Sequence, residues 1–317
     1  MTTSKDEAVR AKLEDLVDKQ GLKLKDIAEA LGYSHSSLSR YIRKDYHSTE
    51  LESAARAFLI GRGDLENGET APAPGISDFY PTGVAVDIVG VCEQCFNHRD
   101  IGLIVGESGI GKTTALEKYA ASNPKAVYIR AHGNMTQKTL LRKMGASIGL
   151  TFRYHDIGSM IDALIEKLAS EHVVFLIDEA EYLINPNSAT PMRKLEMLRT
   201  LHDETESFGL ILCGMTRFKG FFLHGPSMKE NLTQLWNRVF RGREFGGTER
   251  KDVEPIMDRP DMDHDAKDEL VARSLNQGGN LRRFMKLLKT AKSLADKKGS
   301  RITADIIRQA DTLLLHW

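Results

Sequence analysis

The sequence predicts an α/β fold built on a parallel sheet, with an all-α unit before it and a helical unit after it. Three patterns predict this. Residues 4–60 repeat apolar positions at helical spacing; from about residue 81 short apolar runs alternate with helix-compatible stretches; after about residue 253 only helical patterning remains. Strand–helix alternation of this kind marks a parallel sheet covered on both faces. The divisions that follow are 1–60, a linker at 61–80, a core at 81–252 and a closing helical domain at 253–317. A chain of 317 residues has room for them, and its 41% hydrophobic and 28% charged content is that of a globular protein. No run of about 18 apolar residues occurs, which excludes a membrane span. Met1 to Asp6 lacks the apolar core of a secretory signal, so a cytoplasmic location is expected.

In the first unit, residues 24–42 fit a helix-turn-helix. Ala28 lets two helices cross closely, Gly32 supplies the turn, and Ile27, Leu31, Leu38 and Tyr41 fill the space between them. Ser34 caps the second helix, which then presents His35, Ser36, Ser39, Arg40 and Arg43 outward, where a recognition helix meets DNA. This resembles the repressor-like helix-turn-helix class; a small helical interaction module is the alternative. The next stretch, through Asn67-Gly68 and Ala71-Pro72-Ala73-Pro74-Gly75, is rich in turn formers and reads as a linker.

Strands are expected at 102–105, 127–130, 173–178 and 209–213. The first leads into Gly106-Glu107-Ser108-Gly109-Ile110-Gly111-Lys112-Thr113, a complete P-loop pattern, with a helix opening at Thr114. The glycines let backbone N–H groups wrap phosphates, the helix N-terminus adds its dipole, Lys112 neutralises β- and γ-phosphate charge, and Thr113 ligates Mg²⁺. ATP and Mg²⁺ are the expected cofactors. Some 65 residues beyond Thr113, an apolar strand ends in Asp178-Glu179. Asp178 is placed to hold Mg²⁺, often through water, and Glu179 to orient or deprotonate the attacking water. Arg238 stands where oligomeric P-loop ATPases carry an arginine that reaches a neighbour's γ-phosphate; Arg282, opening a C-terminal helix, can report bound ATP. For each, a surface or salt-bridging arginine is the alternative.

The closing helices are expected near 265–276, 280–296 and 303–315. Net charge is zero, with 44 basic and 44 acidic residues, so DNA binding must come from local patches. The clearest, at 281–301, carries eight cations against Asp296 and reads more readily as a solvated helix face than as a DNA contact. Cys92 and Cys95 make a lone Cys-x-x-Cys; with His98 it is still an incomplete zinc set, and reduced, partly buried thiols are expected.

The P-loop, Asp178-Glu179, Arg238 and Gly279–Arg282, in that order before a helical lid, resemble the AAA+ ATPases over about residues 81–317. Within that class, a repressor-like first unit ahead of a compact ATPase module resembles the family of the phage Mu B transposition protein. The runs at 176–183 and 209–214 are similar to that family's spacing. The resemblance implies a target-DNA activator that polymerises on double-stranded DNA when ATP is bound, as a homo-oligomer or helical filament with little sequence preference. It further implies delivery of that DNA to a partner transposase, hydrolysis stimulated by DNA or partner, and action in a bacterial host cytoplasm if phage- or transposon-encoded. One departure stands out: the polar residue that positions water after the 209–213 strand is replaced by Met215, so either Thr216 takes that role or hydrolysis is slow.

Besides the helix-turn-helix, DNA could meet the loops at 132–138 and 151–154, where Lys138 and Arg153 could track phosphates. Two other functions fit the same residues: a replication initiator or helicase loader, and a nucleotide-switched transcription regulator.

Overall fold

The computed structural model describes residues 4–18, 21–31, 33–45, 49–62, 79–188, 190–224, 233–258, 260–276 and 280–314. Gly32, Gly279 and most of the expected linker lie outside the described residues. Among the described residues, no helix is long and apolar enough to cross a membrane.

The first unit holds α1 (Ser4–Asp18), α2 (Leu24–Ala30), α3 (His35–Ile42) and α4 (Thr49–Gly61). Ser34 starts α3 by accepting a hydrogen bond from the Ser37 amide at 3.1 Å. Val9, Leu13 and Leu16 of α1 join Ile27, Ala28, Leu38, Tyr41, Leu51 and Phe58 in one buried core.

The central unit runs α5 (Gly83–His98), β1 (Ile101–Gly106), α6 (Lys112–Ser122), β2 (Ala126–Arg130), α7 (Gln137–Ser147), α8 (Ile157–Leu168), β3 (Val174–Asp178), a 3-10 helix (Ala180–Leu183), α9 (Arg193–Thr205), β4 (Gly209–Gly214), α10 (Thr216–His224), α11 (Thr233–Trp236) and β5 (Val239–Phe245). The sheet has the order β2-β3-β4-β1-β5 and every pairing is parallel. β1, β3 and β4 are buried along their whole length, which is why they read as unbroken apolar runs. Their side chains feed two cores, one against α7, α8 and α9 and one against α5 and α6. Ala146 of α7 belongs to the core of the first unit, and Glu29 of α2 pairs with Arg142 at 2.6 Å and His155 at 3.3 Å, so the two units pack together.

Four strands were expected and a fifth is present. Among the described residues β5 pairs only with β1, at the sheet edge, and its Arg241, Arg243 and Glu244 leave no apolar run to announce it.

The chain closes with α12 (Arg250–Met257), α13 (His264–Leu275), α14 (Leu281–Lys298) and α15 (Ala304–Thr312) around a third core. α12 spans the boundary expected at 252, and its Val253, Ile256 and Met257 pack with the C-terminal helices. Tyr80 packs on this core and Phe79 on the α5–α6 side of the sheet, although composition puts both in the linker. Buried Asp311 joins two arginines, pairing with Arg273 and Arg283 at 2.9 Å each.

Candidate nucleotide site

β1 ends at Gly106, and the chain loops back to begin α6 at Lys112. Gly109 and Gly111 have φ of +83° and +100°, a region side chains rarely adopt. A Cβ on Gly109 would also lie 2.7 Å from Asn280, which packs over the loop from the start of α14. The loop curls around its own ammonium: Lys112 Nζ donates to the carbonyls of Gly106 and Glu107, 2.8 Å each. A buried cation that, among the described residues, is held by two carbonyls would gain from meeting phosphate.

Of the P-loop residues, Ser108, Gly109, Gly111, Lys112 and Thr113, with Thr114 beyond them, line a half-open cavity. Gly106, Glu107 and Ile110 are not among its walls. Ile110 is buried instead, and its Cδ1 lies against Gly106.

Opposite the loop, Asp178 is 2% exposed at the end of β3. Its Oδ2 accepts from Thr113 Oγ1 at 2.7 Å and from the Tyr128 hydroxyl at 2.9 Å, and its Oδ1 from the Glu179 amide at 2.9 Å. Burial, then the adjacent Asp178 charge, push the Tyr128 phenol up, so it stays a donor. A hydroxyl and a carboxylate meeting in this way are oxygen donors suited to a small hard cation. Among the described residues no group of three His, Cys, Asp or Glu gathers to hold a metal, so a cation here would complete its shell with phosphate oxygens and water.

Glu179 also lines the cavity, in a left-handed conformation (φ 53°, ψ 40°), rare for a residue with a side chain and typical of functional strain. Its carboxylate is ion-paired with Arg130 at 2.5 Å. Arg130 ends β2 in register with Asp178, and sequence reasoning passed over it because nothing local marks it. Glu181 was missed as well. Its side chain is 6% exposed and faces the cavity; Oε2 accepts from the Met215 amide at 3.3 Å, and Oε1 lies 3.8 Å from Arg217. An acid two positions after Glu179, between buried Ala180 and Leu183, was the available signal.

From the C-terminal unit, the Arg282 amide donates to the Gly109 carbonyl at 3.1 Å. Arg282, Lys286 and Lys289, on successive turns of α14, face the cavity. The basic run read as a solvated face is therefore divided. Three of its cations look onto the nucleotide site, Arg283 turns to Asp311, and Lys292, Lys297 and Lys298 are exposed. Phe79, Tyr80, Ile256 and Met285 give the cavity an apolar end suited to a base.

Two expected catalytic residues stand apart. Met215 lines the cavity but Thr216 does not; the Thr216 hydroxyl is 3.4 Å from the Glu107 carboxylate. Arg238 is ion-paired with Asp203 and lies outside the walls of its own chain's cavity.

The expected DNA contacts are scattered. His35, Ser36, Arg40 and Arg43 are exposed on or just after α3, with Ser39 half-buried. Lys138 is exposed in the first turn of α7, and Arg153 is exposed with its guanidinium 5.9 Å from the Tyr154 ring centroid. Cys92, Cys95 and Cys213 are free and buried, and burial pushes Cys95 up to about 12.

Residues 96–222 match the family model described as an AAA domain. The chain is 25% identical over 303 residues to the ATP-dependent target DNA activator B of Escherichia phage Mu, covering 95% of this chain and 93% of that protein. It is 24% identical over 264 residues to the Mu-like prophage FluMu DNA transposition protein B of Haemophilus influenzae, covering 81% and 86%. Among solved structures, the Cdc6p of Pyrobaculum aerophilum superposes with a TM-score of 0.56 at 13% identity, covering 82% of this chain and 71% of that one. The Orc1 protein of Aeropyrum pernix in complex with DNA gives 0.54 at 17% identity, covering 76% and 68%. These two likenesses are of fold: a P-loop α/β domain of the AAA+ type.

Proposed function

We infer that this AAA+ ATPase binds double-stranded DNA when ATP is bound, with little sequence preference, and assembles on it as an oligomer or filament that directs a partner transposase. The carrying observation is the likeness to the phage Mu target DNA activator, which spans 95% of the chain and so takes in the N-terminal helices as well as the ATPase core. The replication-initiator structures resemble this chain in fold only and lend no weight to an origin-binding role.

In this reading, residues 1–60 are a helix-turn-helix DNA-binding domain, 61–80 a linker, 81–252 the ATPase core and 253–317 the lid. ATP enters between P-loop and lid, its base toward Phe79, Tyr80 and Met285. Lys112 exchanges its two carbonyls for phosphate oxygens. Thr113 and Asp178 would hold Mg²⁺, which when bound would supply positive charge against the phosphates. Glu179, released from Arg130, orients the water and takes its proton as oxygen attacks the γ-phosphorus and the bond to the β-phosphate oxygen breaks, leaving ADP and phosphate. Arg238 from a neighbouring copy stabilises the transferring group, an effect worth ~10³–10⁵ in rate where P-loop enzymes are supplied with such an arginine. Arg282, Lys286 and Lys289 carry the state of the nucleotide to the lid. With Met215 where a polar group would place the water, turnover is slow, as suits a timer. DNA is met by His35, Ser36, Ser39, Arg40 and Arg43, and by Lys138 and Arg153. The chain acts in the host cytoplasm.

Electron microscopy of the purified protein with Mg²⁺, with and without ATP and plasmid DNA, tests the reading. Filaments that require both ATP and DNA are expected. Binding should be equal for unrelated duplexes and fall steeply with salt. A preference of ~10³ for one sequence would overturn it in favour of a site-specific regulator. Lys112→Ala should lose ATP binding and DNA assembly together; assembly kept by this variant would also overturn it.

A further inference from the structure

Lys194 is a charged side chain in an unfavourable place. It is 8% exposed, in the first turn of α9, where the helix dipole disfavours a cation, and burial pushes its ammonium down. Among the described residues it has no carboxylate partner. Nζ donates instead to two backbone carbonyls, Met135 O and Tyr182 O, at 3.0 Å each. A lysine desolvated for two neutral acceptors adds little stability that an apolar residue of similar volume could not supply.

The two carbonyls belong to segments with different duties. Tyr182 sits in the 3-10 helix directly after Asp178-Glu179, and with Glu181 it forms part of the cavity wall. Met135 is the buried anchor of the loop between β2 and α7, whose His132, Gly133 and Asn134 are exposed and which leads to exposed Lys138. The other end of that loop hangs from the same segment, since the Ala131 amide donates to Asp178 O at 2.9 Å. A second contact runs beside the lysine, from Gln137 Nε2 to Arg193 O at 3.4 Å. Both ends of an exposed loop are therefore tied to the stretch that walls the nucleotide cavity, one by a backbone hydrogen bond and the other by the Lys194 ammonium beside apolar packing of Met135.

We propose that Lys194 is a positioning residue that transmits the state of the nucleotide cavity to the 131–136 loop, and so sets the loop's grip on DNA phosphates. The DNA part rests on the function inferred above. When ATP draws Glu179 from Arg130 and shifts the 3-10 helix, Tyr182 O moves, and Lys194 carries Met135 and the loop with it.

The test uses the full chain with Lys194→Met, which keeps volume and removes the donors, and Lys194→Arg, which keeps the cation. Amide hydrogen exchange at 131–136 is followed on adding a slowly hydrolysed ATP analogue, alongside nucleotide affinity, melting temperature, and ATPase rate with and without duplex DNA. Wild type is expected to change exchange at 131–136 on binding nucleotide. K194M should keep nucleotide affinity and basal turnover within about threefold, lose the exchange response, and lose at least about tenfold of the DNA stimulation, a coupling of usual size. K194R should restore part of both. Wild-type coupling in K194M overturns the proposal, as does a joint loss of nucleotide affinity and melting temperature, which would make the lysine a fold element only. A wild-type loop whose exchange ignores nucleotide overturns it without any variant, so the proposal can fail even where K194M folds poorly. Wild-type ATPase that ignores DNA sinks the DNA reading instead, while the exchange result still decides the role of Lys194.

Discussion

Asp178 and Glu179 are neighbours in sequence with opposite surroundings. Asp178 is buried and takes hydrogen bonds from a hydroxyl, a phenol and an amide, whereas Glu179 is a third exposed and carries an ion pair with Arg130. The first is held in one position by three donors. The second is strained in its backbone and restrained by a partner that a water-activating carboxylate has to leave. Glu179→Gln keeps size and hydrogen bonding but removes the base, so hydrolysis should fall by ~10²–10⁴ while ATP binding persists. Single-turnover phosphate release measures this, and a turnover within threefold of wild type would remove Glu179 from the role. Arg130→Ala should raise DNA-independent hydrolysis several-fold, read in a steady-state phosphate assay; an unchanged or lower rate would mean that the pair orients Glu179 rather than restrains it.

α14 joins the C-terminal helical unit to the site. Its N-terminus packs Asn280 over Gly109, its first turns aim Arg282 and Lys286 into the cavity, and Arg283 is turned away to the buried carboxylate of Asp311. That carboxylate also holds Arg273, so it fixes the rotation of α14 against α13 and α15. Asp311→Ala leaves two guanidinium groups without this acceptor, at a cost of about 1.5–3 kcal/mol for hydrogen bonds to charged groups. Thermal unfolding should fall by several degrees, and ATP affinity should weaken because the Arg282 face is no longer held. An unchanged melting temperature would show that the apolar core of the C-terminal helices alone sets the orientation of the helix.

At the scale of the molecule, Arg238 lies outside the walls of its own chain's cavity and directly before the edge strand β5, in an ion pair with Asp203. Phe240 on the same strand is 65% exposed. If Arg238 acts on a neighbour, Arg238→Ala and Glu179→Gln should each be inactive alone, yet regain hydrolysis when mixed. Mixed interfaces then join an intact Glu179 site from one variant to an intact arginine from the other. The ATPase rate across a mixing series reads this out. No recovery at any ratio would return Arg238 to the structural ion pair it forms within its own chain.

The sequence by itself determined the buried strands, the P-loop and the Asp178-Glu179 pair, because strands covered on both faces must be apolar throughout and a phosphate cradle needs glycines at fixed spacing. The order of those motifs determined the AAA+ type of fold. It could not announce β5, an edge strand whose charged residues are allowed by solvent, nor the partition of the α14 cations among the cavity, Asp311 and solvent. Only the tertiary structure brought Arg130 to Glu179, Glu181 to Met215, and Lys194 to two carbonyls far from it in the chain. The physical reason is one of range. Periodicity and glycine spacing act over a few residues and leave a local trace, whereas a buried charge is paired with whatever the closed sheet places beside it.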